Sequence, residues 1–238
     1  MENPNRIVVV TGGTGALGTA VTEAFLKKGY SVVVPYIADH EIERFEKQIG
    51  EPALSGVTLI RADATVEAEV KTLVQAILEQ FGQIDIWGNI VGGFIGGIPV
   101  AEMEMEKWDF MMNMNLKSAF LCCKAVLPHM IERRYGKIVN VSARAGLSGI
   151  AGLSAYCVSK SGVRILTESI AEEVKDLGIN VNCIMPSIID TPANRKSMPD
   201  ADHSRWVQPG DIAKVILFLT SDDAAIINGA AIPVYGRA

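Results

Sequence analysis

The sequence predicts an α/β protein: one doubly wound domain over residues 1–238, built on a parallel sheet of about seven strands with helices on both faces. Three observations predict it. Short runs rich in branched apolar residues recur along the chain. These runs are continuously apolar, as strands buried on both faces must be. Segments of helical period lie between them, and the two alternate about six times.

The strands are expected at 7–10, 31–34, 57–60, 84–91, 137–141, 179–185 and 231–234. Helical spacing is clearest in Leu17, Ala20, Val21, Ala24 and Phe25, and in Val66, Val70, Leu73, Val74, Ile77 and Phe81. Long helices are expected over 108–130 and 154–176, with Met103, Met105, Met111, Met112 and Met114 as core filler at or near the first. No Pro/Gly/Ser-rich linker, repeat or low-complexity tract divides the chain. In such a sheet, ligands bind outside the carboxyl ends of the strands.

Composition narrows the partners. A net charge of −5, a pI near 5.3 and no run of basic residues argue against nucleic acid or an anionic membrane. Small molecules or copies of the same chain are expected instead. The N-terminus has no basic stretch followed by a long apolar one, and no apolar run reaches the roughly 18 residues that span a bilayer, so a cytoplasmic protein is expected. Cys122, Cys123, Cys157 and Cys183 show no CxxC spacing and read as small buried hydrophobes, with neither disulfide nor metal expected. His40, His129 and His203 are scattered and read as surface or packing residues.

TGGTGALG, residues 11–18, follows the first strand and opens an amphipathic helix. In that context Thr11, Gly12, Thr14, Gly15, Ala16, Leu17 and Gly18 form a candidate dinucleotide loop: glycines permit the tight turn, and free N–H groups at the helix start can hold a diphosphate. An acidic residue ending the second strand would bind the ribose 2′-hydroxyl. Pro35 and Tyr36 stand there, with no acid or arginine, so the choice between NAD and NADP stays open. Asp63, followed by Ala64 in LIRADAT, is placed either to accept a hydrogen bond from an adenine amino group or to cap the next helix.

Tyr156 and Lys160 in YCVSK are four apart on a helical stretch and share a face. A phenol with an ordinary pKa of about 10 needs a nearby positive charge to work as an acid and base at neutral pH, and the ammonium is expected to supply it by lowering the phenol's pKa. The phenol can then deliver a proton while hydride reaches the adjacent carbon. A plain tyrosine–lysine surface pair has the same spacing, so the motif gains its weight from the glycine loop in the same chain.

Taken together, TGGTGALG, the Asp63 segment, NIVGG, MNLKSAF with Asn115, YCVSK and MPSIIDT resemble the short-chain dehydrogenase/reductase family along the whole chain and in family order. The resemblance implies a Rossmann domain with NAD(P)H as cofactor. It implies that residues 89–92, including Asn89, Val91 and Gly92, line the cofactor cleft. Asn115 would hold a water that relays protons to Lys160, and Lys160 would bind the nicotinamide ribose. Residues 184–191, among them Pro186, Ile188, Ile189 and Thr191, would cover the nicotinamide, and 191–206 would form a substrate lid. It also implies self-association, as dimer or tetramer, through the long helices.

Three departures stand out: Ala16 replaces the usual middle glycine, Ile90 the second asparagine of NNAG, and Ala143 the serine expected thirteen residues before the tyrosine. Ser142 is one place off. On an extended segment it faces away from the substrate, unless a bulge lets Ser142, Ser148 or Ser154 serve as the catalytic serine. The alanine in SARAG, together with VGGFIGG and residues 189–206, is similar to the dihydropteridine reductase branch, which implies a quinonoid dihydropterin or similar conjugated substrate. KIVNVS and residues 114–130 look more like 3-oxoacyl and carbonyl reductases, which leaves reduction of a 3-oxoacyl thioester as the alternative. A cofactor-binding module without turnover is the alternative of another class.

Overall fold

A computed structural model describes residues 6–237. Seven parallel strands form one sheet in the order β3-β2-β1-β4-β5-β6-β7. They are β1 (Ile7–Thr11), β2 (Ser31–Tyr36), β3 (Val57–Arg61), β4 (Ile86–Asn89), β5 (Gly136–Val141), β6 (Ile179–Pro186) and β7 (Ala231–Val234). The helices are α1 (Ala16–Lys27), α2 (Asp39–Ile49), α3 (Glu67–Phe81), α4 (Met105–Met111), α5 (Ser118–Arg133), α6 (Ser154–Val174), α7 (Pro192–Ser197) and α8 (Pro209–Thr220).

The continuous apolar runs have the cause the sequence suggested. Alternate residues of one strand feed two separate cores. Val8 and Val10 pack with Leu17, Val21 and Phe25 of α1, Phe45 of α2 and Ile212 and Ile216 of α8. Ile7 and Val9 pack with Leu73 and Ile77 of α3, Val126 and Met130 of α5 and Ile170 of α6. Helices therefore cover both faces, and the central strands β1, β4, β5 and β6 are buried along their whole length.

Strand order reverses between β1 and β4, whose last residues are paired, Thr11 with Asn89. Two loops diverge at that reversal and leave a crevice. Thr11 stitches the two strands together: its hydroxyl donates to the Gly88 carbonyl at 3.2 Å and accepts from the Ile90 N–H at 3.3 Å.

Several boundaries differ from expectation. The fourth strand begins at Ile86, because the Asp85 carboxylate takes the Ile7 N–H (2.8 Å) and the Arg133 guanidinium (3.0 Å). The helix expected over 108–130 is interrupted by a π turn, Met112–Lys117. Of the five methionines near it, Met111 is fully buried, while Met105 is 67% exposed and is no core filler. The four cysteines are all buried, and burial pushes the thiols of Cys123 and Cys183 up to about 12 and about 11, so they behave as apolar groups.

Candidate active site

The glycine loop follows β1 and rises into the crevice. Gly12 has φ 68°, a left-handed conformation that suits glycine, and a Cβ there would lie 2.9 Å from the Val91 nitrogen. A Cβ on Gly18 would collide with the Gly12 carbonyl. α1 then starts after Gly15 with no side-chain cap, and the N–H groups of Ala16, Leu17 and Gly18 donate to no acceptor among the described residues. Uncapped N–H groups at the positive end of a helix dipole, beside backbone kept bare of side chains, fit a diphosphate.

Beside this loop lie contacts that sequence reasoning missed. The Thr14 hydroxyl donates to Glu41 (3.1 Å), and Arg44 donates to the Thr14 carbonyl (2.9 Å). Both partners lie on α2, three residues apart, and nothing in their spacing announced the contact. Tyr36, at the end of β2, pairs with Arg61 at the end of β3. Asp63 does not cap α3, which begins only at Glu67. One of its oxygens accepts from the Thr65 N–H (2.8 Å) and hydroxyl (2.7 Å), while the other bonds nothing among the described residues. Ala64 is buried beneath it.

At the end of β4, the Asn89 side chain lies inside the protein. It donates to Asn140 (2.8 Å) and accepts from the Trp87 indole (2.9 Å), so Asn89 braces the strand ends from behind. Beyond it, the crevice is lined by Val91 and Gly92. A Cβ on Gly92 would stand 3.1 Å from both Asn115 Oδ1 and Lys160 Nζ, so the bare backbone lets the two polar groups converge. Asn115 sits in the π turn, whose extra residue turns it toward the crevice. Its amide accepts from the Gly93 N–H (2.9 Å) and donates to Ser159 (3.0 Å).

Tyr156 and Lys160 lie in the first turns of α6. The Tyr156 hydroxyl makes no hydrogen bond among the described residues, and the ring lies edge-on to Phe94 at 4.9 Å. The expectation that Lys160 acidifies this phenol is not met. Burial pushes Tyr156 up to about 12. Lys160 instead donates to the Val141 carbonyl at 2.9 Å, and desolvation brings its own pKa down to about 8. In this state the phenol is a protonated donor.

Ser142 is corrected as a catalytic residue. It is 2% exposed and its hydroxyl donates to the Lys160 carbonyl at 2.7 Å, which removes it from direct contact with substrate. The backbone stays extended at Ala143 (φ −159°, ψ 160°), so adjacent side chains face opposite ways. Ser148 is exposed on the following loop, and Ser154 opens α6 with an enclosed hydroxyl that has no partner among the described residues.

Past β6, Pro186 is buried and the chain crosses the sheet edge. The Ile188 carbonyl accepts from the Val207 N–H (3.0 Å), and Ile189 and Val207 form a parallel bridge. Thr191 caps α7, its hydroxyl accepting from Asn194 at 3.2 Å. Asp190 binds Arg195 and Gln208, and the guanidinium holds its carboxyl well below the usual carboxylate range. Residues 191–206 thus form an excursion stapled at its base.

A family model described as short chain dehydrogenase matches residues 6–202. The chain belongs to the short-chain dehydrogenase family. It is 33% identical to the BbsD subunit of the hydroxy(phenyl)methylsuccinyl-CoA dehydrogenase of Thauera aromatica, over 98% of this chain and 96% of that one. It is 31% identical to the 3-oxoacyl-acyl-carrier-protein reductase FabG of Thermotoga maritima, over 99% and 98%. Among solved structures it is similar to ElxO with NADP bound, with a TM-score of 0.91 and 28% identity over 98% of each chain. The chain is thus an NAD(P)-dependent oxidoreductase of this family. No helix among the described residues is long and apolar enough to cross a membrane.

The lysine supplies a test of this geometry. Its pKa falls from 10.5 to about 8 on folding, so the unfolded chain binds more protons between those values and stability should rise with pH across that window. The unfolding free energy of wild type, measured in urea relative to Lys160→Met, is expected to increase from pH 8 to pH 10.5. A flat or falling difference would mean that the ammonium is solvated.

Proposed function

We propose that this short-chain dehydrogenase reduces an activated acceptor, a conjugated carbonyl or imine, with Tyr156 donating the proton. The observation that carries this reading is the pairing of a protonated phenol, without a hydrogen-bond partner among the described residues, with Ala143. Burial pushes the phenol up to about 12, so it carries its proton at neutral pH and can give it up as hydride transfer builds charge on the acceptor. At Ala143, by contrast, no hydroxyl is offered to grip an acceptor oxygen. A bound nicotinamide supplies the hydride. Gly12, Gly15, Ala16, Leu17 and Gly18 would hold its diphosphate, and Asp63, through its unbonded oxygen, the adenine. Residues 186–191 would flank the ring. Lys160 and Asn115, converging at Gly92, would bind the ribose and return a proton to the phenolate.

The quinonoid dihydropterin is one member of this acceptor class and rests on the segment resemblance alone. Reduction of a 3-oxoacyl thioester is the second reading, favoured by the likeness to FabG. A substrate panel run with NADH and with NADPH separates the two readings. Tyr156→Phe is expected to lower turnover by about 10²–10⁴-fold while leaving cofactor affinity unchanged. Ala143→Ser is expected to raise reduction of an unactivated ketone about tenfold, the value of one added hydrogen bond. Full activity in Tyr156→Phe would remove the assigned acid.

Self-association through α5 and α6 is part of the same proposal. Phe120 and Ile165 are 45% and 47% exposed there, and a groove of about 320 Å³ lies between Met112, Leu116, Phe120 and Leu166. Sedimentation at micromolar concentration is expected to give a dimer or tetramer; a monomer at every concentration would reject this face.

A further inference from the structure

Phe94 is a large apolar side chain packed against the Tyr156 ring and has no part in the proposed proton transfer. It is 63% exposed, a position water disfavours for an aromatic ring, yet the ring is fixed in place. Its centroid lies 4.9 Å from that of Tyr156 with the planes at 80°, an edge-to-face pair. Gly96 leaves room for it, since a Cβ there would stand 2.7 Å from Phe94 Cζ and would collide with Leu153.

The backbone around Phe94 is anchored on both sides. A Cβ on Gly93 would lie 3.3 to 3.5 Å from Met114, Met111 and Phe110, so this end of the loop is seated against α4 and the π turn. At the other end, the Ile98 N–H donates to the Gly152 carbonyl at 3.1 Å, tying the loop to the approach of α6. One side of the ring is therefore packed and the other is open beside the phenol. Leu147 and Ile150, on the loop that leads into α6, are also exposed, at 54% and 46%.

This arrangement bears on how a substrate is oriented without a serine. Ala143 offers no donor, and Ser142 is committed to the Lys160 carbonyl. A flat ring stacked on the open side of Phe94 would lie beside the Tyr156 ring, whose plane is at 80° to that of Phe94.

We propose that Phe94 is a specificity-determining residue whose open face carries a flat, uncharged ring of the substrate, orienting it in place of the missing serine. This deepens the reading of Tyr156 as proton donor and rests on it. The substrate class it selects is a cyclic conjugated ketone or imine, or an aryl ketone, over an open-chain thioester.

The test compares a flat conjugated ketone with acetoacetyl thioester in wild type, Phe94→Ala and Phe94→Tyr. Phe94→Ala is expected to lower kcat/KM for the flat ketone tenfold or more, mostly through KM, and that for the thioester less than threefold. Phe94→Tyr, which keeps the ring, should stay within threefold of wild type on both. Equal losses on both substrates, or none on either, overturn the proposal. A second readout does not depend on turnover. In a Tyr156→Phe background saturated with NADPH, calorimetric affinity for the flat ketone should fall about tenfold when Phe94→Ala is added; unchanged affinity overturns the proposal. Should wild type turn over neither substrate while that affinity still depends on Phe94, the proton-donor reading fails and the platform stands.

Discussion

The site depends on one buried cation. Lys160 brings an ammonium group to the carboxyl edge of the sheet, fully desolvated, with no carboxylate beside it and the Val141 carbonyl as its acceptor. Desolvating a charge in this way costs several kcal/mol, which the two cores must offset. The neighbouring residues are arranged around that group. Ser142 grips the lysine's own carbonyl, and a Cβ on Gly146 would stand 2.9 Å from the same backbone. Gly92 keeps its side of the ammonium bare, and the π turn brings Asn115 to the other side. Strand end, helix and turn are therefore specified together.

Burial also governs the phenol: the ammonium is held by the Val141 carbonyl, and desolvation raises the pKa of Tyr156. A protonated phenol suits reduction. The reverse reaction needs a phenolate.

The fold was legible because burial on both faces leaves a mark in runs such as IVVV, and all seven strands overlap the expected runs, although β6 also buries Asn180 and Asn182, whose amides bond to the Ala225 and Ile227 carbonyls. Their ends were less legible. Ile84 is as apolar as Ile86, and only the tertiary contacts of Asp85 start the strand later. The π turn was hidden for a different reason: one extra residue leaves the local helical period of MNMNLK almost unchanged. In the site, the glycine loop and the Tyr156–Lys160 pair could be read from spacing. The strand's two-residue period also gave the direction in which Ser142 points. Contacts between distant segments left no local signal, as with Glu41 and Arg44 on Thr14 or Asn89 turned inward to Asn140. Helical spacing placed Lys160 beside Tyr156 but not the rotamer of its ammonium.

A missing serine and a phenol that burial keeps protonated make this a site that holds its proton at neutral pH and grips an acceptor oxygen weakly. Ultraviolet titration of the unliganded protein's five tyrosines, against Tyr156→Phe, tests that state most directly. The account predicts that the phenol missing from the variant stays protonated through pH 10, and that Lys160→Met does not move it. A phenolate appearing below pH 10 in wild type, and shifting upward in Lys160→Met, would contradict it.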